Sequence, residues 1–123
     1  MFLGPDSKAT ILCIDDNATA LGIRKRVLEN GGFNVVTAAS APEALEVFKT
    51  RPIDVVLSDH CLKGSTGVET ARQMKELTPS VPVVLYSGAP PAVMGPVDCF
   101  ILKTEPPEYL LSCLRDLVER SHS

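Results

Sequence analysis

The sequence predicts a single doubly wound α/β domain with a parallel five-stranded sheet. Two observations carry this. Short β-rich apolar runs alternate with stretches of helical periodicity, the pattern of buried parallel strands joined by crossover helices. Glycine and proline clusters also punctuate the chain at nearly every junction between the two kinds of segment.

The elements follow in order. Residues 10–14 form the first strand, and a helix runs from about Ala18 to Asn30 with Ala20, Leu21, Ile23, Val27 and Leu28 as its apolar side, stopped by Gly31-Gly32. Residues 33–38 form the second strand. Ser40-Ala41-Pro42-Glu43 opens the next helix with a capping box, and Ala41, Ala44, Leu45 and Phe48 give it a buried stripe. Arg51-Pro52 ends it before a third strand over 53–58. A loop with Gly64 and Gly67 leads to a helix over about 67–77, terminated by Thr78-Pro79. The fourth and fifth strands cover 82–86 and 98–102. Pro106-Pro107 starts a last helix whose core face is Leu110, Cys113, Leu114 and Leu117.

Composition bounds the function. With 123 residues, 45% hydrophobic and 22% charged, the chain fits one packed domain, taken here as 1–123. A net charge of −3 offers no footprint for nucleic acid or an anionic membrane surface. No apolar run reaches spanning length, and the opening Met1 to Asp6 lacks the basic start and apolar core of a signal peptide, which points to the cytoplasm. Cys13, Cys61, Cys99 and Cys113 have no C-x-x-C spacing and read as free thiols, not as a disulfide framework or a zinc site. The tail Glu119 to Ser123 reads as a fray or a linker stub.

Four of the apolar runs end in residues that phosphoryl chemistry uses. The first strand runs into Asp15-Asp16, the third into Asp59, the fourth into Ser87 and the fifth into Lys103. In an open parallel sheet these carboxyl ends share one crevice. Three carboxylates, a hydroxyl and an ammonium are therefore predicted at one place. Each feature has a plainer reading alone: a helix opening at Asp15-Asp16-Asn17, an ordinary turn at Ser87-Gly88, a solvated Lys103. Their joint occurrence at four strand ends is what argues for a site. A carboxylate attacks a dianionic phosphoryl group poorly, because both partners are negative, unless a divalent cation and a fixed positive charge stand beside it.

On these residues the chain resembles the CheY-like receiver domains of two-component response regulators, over essentially its whole length. The resemblance implies the flavodoxin-like (βα)5 fold with strand order 2-1-3-4-5. It implies a phospho-accepting domain that takes a phosphoryl group from a sensor histidine kinase or histidine phosphotransfer protein onto Asp59, switches a protein-binding surface for a downstream protein target, and is not a turnover enzyme. The implied cofactor is Mg²⁺, an ion that prefers oxygen ligands and keeps several waters. Asp16 and Asp59 would bind it directly, Asp15 through water, and Cys61 through its backbone carbonyl. Lys103 would neutralise a phosphoryl oxygen. Ser87 would turn its hydroxyl toward the group, with Phe100 rotating inward in concert.

Departures from the family pattern bear on output. Lys63 stands where a proline is usual in the loop after Asp59, and Thr104 stands where a proline usually follows the lysine. Only the fifteen residues 88–102 separate Ser87 from Lys103, and Gly88, Pro90, Pro91, Gly95 and Pro96 fall among them. At that density a regular helix is opposed, so the fourth helix is predicted to be short, irregular or missing. A single-domain receiver that signals by binding another protein, or a phosphorelay intermediate, is favoured over a dimer face built on that helix. The basic triplet Arg24-Lys25-Arg26 reads as a solvated face or a docking patch. The alternative function is a diverged, unphosphorylated receiver acting as a constitutive interaction module. A haloacid-dehalogenase-type phosphatase would want Asp-x-Asp, which neither Asp15-Asp16-Asn17 nor Asp59-His60-Cys61 supplies. A flavodoxin would want phosphate-binding hydroxyls where the acidic pair stands.

Overall fold

The computed structural model describes residues 8–121; the opening hexapeptide and the end of the tail, residues 122 and 123, lie outside the described residues. Five parallel strands make the sheet: β1 (Thr10–Ile14), β2 (Asn34–Ala38), β3 (Val55–Ser58), β6 (Val83–Ser87) and β7 (Cys99–Leu102). Their order is β2-β1-β3-β6-β7, which is the expected 2-1-3-4-5 order of the main strands. Between β3 and β6 the chain adds a small hairpin, β4 (Cys61–Leu62) with β5 (Ser65–Thr66), where the sequence reading has only a loop. Two-residue strands are too short to leave a periodicity.

Alternation along the strands divides the core in two. Ile11 and Cys13 of β1 face the helices α1 (Ala18–Asn30) and α4 (Pro107–Ser121), packing with Leu21, Leu28, Leu110 and Leu114. Leu12 and Ile14 face α2 (Ala41–Thr50) and α3 (Gly67–Leu77), packing with Ala44, Ala71 and Met74. The helix starts are capped by their own side chains. Asn17 Oδ1 accepts from the Ala20 N–H at 2.9 Å, and Thr66 Oγ1 from the Glu69 N–H at 3.1 Å. At Ser40 the cap forms but the return bond is shifted by one residue: Ser40 Oγ accepts from the Glu43 N–H at 3.2 Å, while Glu43 Oε1 accepts from the N–H of Ala39, the residue before the cap, at 2.6 Å.

Two details of α1 differ from the expected apolar side. Ile23 is 63% exposed, whereas Arg24 is only 9% exposed. The inner stripe of the helix is Leu21, Arg24 and Leu28, spaced i, i+3, i+7, so Arg24 takes a core-facing position that an apolar residue would ordinarily hold. Arg24 is thus neither solvated nor part of an exposed patch.

Between β6 and β7 no helix forms. Gly95 adopts φ +58°, which a helix does not tolerate, and the Val97 N–H closes a turn onto the Met94 carbonyl at 3.2 Å. The sheet face is covered there by irregular chain, with Val97 buried and Met94 and Phe100 packed against the α2/α3 core. Among the described residues no helix is long and apolar enough to cross a membrane.

Candidate functional site

The carboxyl edge of the sheet carries every strand-end residue named above. Backbone bonds that continue the ladder fix their positions. The Asp15 N–H donates to the Ala38 carbonyl at 3.2 Å, the Asp59 N–H to the Ile14 carbonyl at 3.0 Å, and the Lys103 N–H to the Ser87 carbonyl at 2.9 Å. Asp59 is thereby tied to the end of β1, next to the acidic pair, and Lys103 to Ser87.

Side chains converge from there. Lys103 Nζ lies 3.2 Å from Asp59 Oδ2 and 3.9 Å from Asp15 Oδ2, so one ammonium serves two carboxylates. Asp15 is 1% exposed and has both oxygens engaged. Its Oδ1 accepts from the Asn17 N–H at 2.9 Å, and its Oδ2 accepts from Arg24 Nη1 at 2.9 Å. Asp16 is exposed, and Ser87 is buried at the end of β6. The Cys61 side chain is exposed, so the thiol faces away from the core. Phe100 is half-buried among α2/α3 core residues and stands on β7 three residues before Lys103.

The loop after Asp59 is held by close packing. The Gly67 N–H donates to the His60 carbonyl at 2.7 Å, and a Cβ added at Gly67 would stand 2.6 Å from the Asp59 carbonyl oxygen and 2.5 Å from Leu85 Cδ2. Only glycine fits there. Every described peptide bond is trans, including Lys103-Thr104.

Arg24 is the site residue that the sequence reading missed. Its guanidinium stacks over the Tyr86 ring, 4.8 Å from the centroid, while bonded to Asp15. Burial works against its charge, but the hydrogen bond it donates to Asp15 and the neighbouring Cys13 outweigh it, and its pKa rises further above its ordinary value. The available signal was its place on the helical wheel, three residues after Leu21 and four before Leu28.

Comparison with known proteins agrees with the geometry. The family model for the response regulator receiver domain matches residues 11–113. The chain belongs to the response regulator receiver domain family. Among relatives, the hydrogenase transcriptional regulatory protein HoxA of Cupriavidus necator is 31% identical over 121 residues, covering 93% of this chain and 25% of HoxA. The chain thus spans about a quarter of the length of HoxA and of the transcriptional regulatory protein ZraR of Escherichia coli. A response regulator receiver domain protein of Clostridium thermocellum superposes with a TM-score of 0.86 at 29% identity, covering 93% of this chain and 97% of that one. A CheY-like receiver of Methanospirillum hungatei gives 0.88 at 24% identity, covering 94% and 98%, a likeness of fold. The chain is a receiver domain of two-component systems with the CheY-like fold.

The pocket can be judged as a metal site from its donors. Among the described residues no group of three or more His, Cys, Asp or Glu side chains is arranged to hold an ion by itself. A hard ion that keeps most of its waters needs only one or two direct carboxylates, and Asp59 together with the exposed Asp16 fits that demand. Asp15, with both oxygens already bonded, fits a role behind a water rather than a direct one.

Proposed function

We propose that this receiver is phospho-accepting, with Asp59 as the acceptor. The observation that carries the reading is the Lys103 ammonium 3.2 Å from Asp59 Oδ2, in a strand-end crevice that also holds Asp15. The donor is a phosphohistidine on a sensor histidine kinase or histidine phosphotransfer protein. An Asp59 carboxylate oxygen attacks phosphorus, the phosphorus–nitrogen bond breaks, and the departing imidazole takes up a proton, leaving an acyl phosphate. Lys103, already bridging toward the acceptor, neutralises a phosphoryl oxygen. Mg²⁺, held by Asp16, Asp59 and the Cys61 carbonyl with Asp15 behind a water, would supply the remaining neutralisation of phosphoryl charge. Because the group ends on the chain's own side chain, the domain is a switch and not a turnover enzyme.

Ser87 and Phe100 are the switch residues in this reading. A phosphoryl oxygen beside Asp59 attracts the Ser87 hydroxyl, which draws in the irregular chain that follows β6, and Phe100 moves into the space released. The surface so changed is read by a protein partner in the cytoplasm. A chemical test separates aspartate from serine as the acceptor. After incubation of the chain with phosphoramidate and Mg²⁺, the adduct is expected to be cleaved by hydroxylamine, as an acyl phosphate is. A hydroxylamine-resistant adduct, or one mapping to Ser87, would contradict the proposal.

A further inference from the structure

Arg24 is a second cation in a pocket whose strand-end residues bring only one. Lys103 and Arg24 both address Asp15 Oδ2, at 3.9 and 2.9 Å, while Lys103 also reaches Asp59. With the carboxylates Asp15, Asp16 and Asp59, the two cations leave a formal charge of −1 where Lys103 alone would leave −2. The Arg24 side chain cannot easily withdraw. It projects from the buried stripe of α1 between Leu21 and Leu28, and the Tyr86 ring lies under its guanidinium.

We propose that Arg24 is a resident counter-ion that competes with a divalent cation for Asp15, so that the receiver stays folded and neutralised without metal and binds metal weakly. The inference rests on the reading that this pocket takes Mg²⁺. A guanidinium bonded to the carboxylate does two things at once. It engages an oxygen that a metal-bound water would have to share, which weakens that oxygen as an acceptor without closing it, and its charge repels a second cation nearby. Arg24 is therefore a positioning residue: it fixes Asp15 as a partly neutralised partner, and leaves Asp16 and Asp59 to make the direct contacts.

The test is an Mg²⁺ titration of the full chain, followed by tyrosine emission and by the rise of Tm with Mg²⁺ concentration, on wild type, Arg24→Gln, Arg24→Met and Asp15→Asn backgrounds. Gln retains a donor for Asp15 without the charge, so it remains usable where Met does not fold. Arg24→Gln is expected to lower the metal-free Tm yet bind Mg²⁺ about tenfold more tightly. That tightening is expected to vanish when Asp15 is Asn. A residue that merely props up the helix would leave affinity unchanged or weaken it. Unchanged or weaker binding by the variant, or tightening that persists with Asp15→Asn, would overturn the role of Arg24, while Mg²⁺ binding by wild type would keep the reading of the pocket as an Mg²⁺ site intact. No Mg²⁺ response in any of the proteins would overturn both.

Discussion

Lys103 stands between two carboxylates, and that position gives it the largest single effect expected outside the acceptor itself. Lys103→Met is predicted to fold, since the side chain is a third exposed, and to slow formation of the Asp59 adduct by about 10²-fold, the scale seen when one charge-stabilising donor is removed. The rate of adduct formation by intact mass checks this. A second prediction concerns Cys13, fully buried in β1. Burial pushes its thiol up to about 11 from an ordinary 9.0, with the nearby Arg24 opposing the shift. The neutral thiol is then the folded form, while the unfolded chain ionises near its ordinary value. Stability from this group is complete below pH 9 and declines as pH rises toward 11, by on the order of 2 kcal/mol. Urea unfolding at pH 8 and pH 10.5 is expected to show that decline in wild type and a smaller one in Cys13→Val.

The elements are held to one another by devices of different legibility. The β1, β3, β6 and β7 runs announce themselves because unbroken β-rich stretches between helical patterns have few other readings, and their polar ends bring the site with them. The clamps at the opposite ends of the strands do not. Asp54 and Asp98 stand just before β3 and β7, and each closes a ring of two hydrogen bonds with the start of a neighbouring strand. Asp54 Oδ2 accepts from the Thr10 N–H at 2.7 Å while the Asp54 N–H donates to the Thr10 carbonyl at 2.9 Å, and Asp98 does the same with Val83 at 2.7 and 2.9 Å. Such pairing depends on strand order and register, which the local sequence around each aspartate does not carry. Arg24 was hidden for a related reason. A basic triplet looks solvated until the helix is rotated against its buried stripe. Gly67 is the element-scale test of the site. Gly67→Ala places a methyl against the Asp59 carbonyl oxygen and Leu85, so the loop after Asp59 must shift. The variant is expected to lose about 1–3 kcal/mol in urea unfolding and to accept phosphoryl groups more slowly than wild type. Full stability and rate in Gly67→Ala would mean that the loop is not held as described.

At the scale of the whole molecule, two faces of one sheet do different work. The α1/α4 side carries the Arg24 tie into the acidic pocket. The other side ends in irregular chain over 88–98 where a fourth helix is usual, with Val97 and Met94 closing the core. The density of proline and glycine made the missing helix legible in advance; the way its cover is replaced was not, because it depends on Met94 and Val97 finding the core across a Gly95 turn. Whether the strand-end crevice makes Asp59 a phosphoryl acceptor is read from the intact mass of the chain after incubation with phosphoramidate, with and without Mg²⁺, on wild type and Asp59→Asn. A single phosphoryl adduct is expected on wild type, dependent on Mg²⁺ and absent from Asp59→Asn. An unmodified wild type that still binds Mg²⁺, or an adduct that survives in Asp59→Asn, would contradict it.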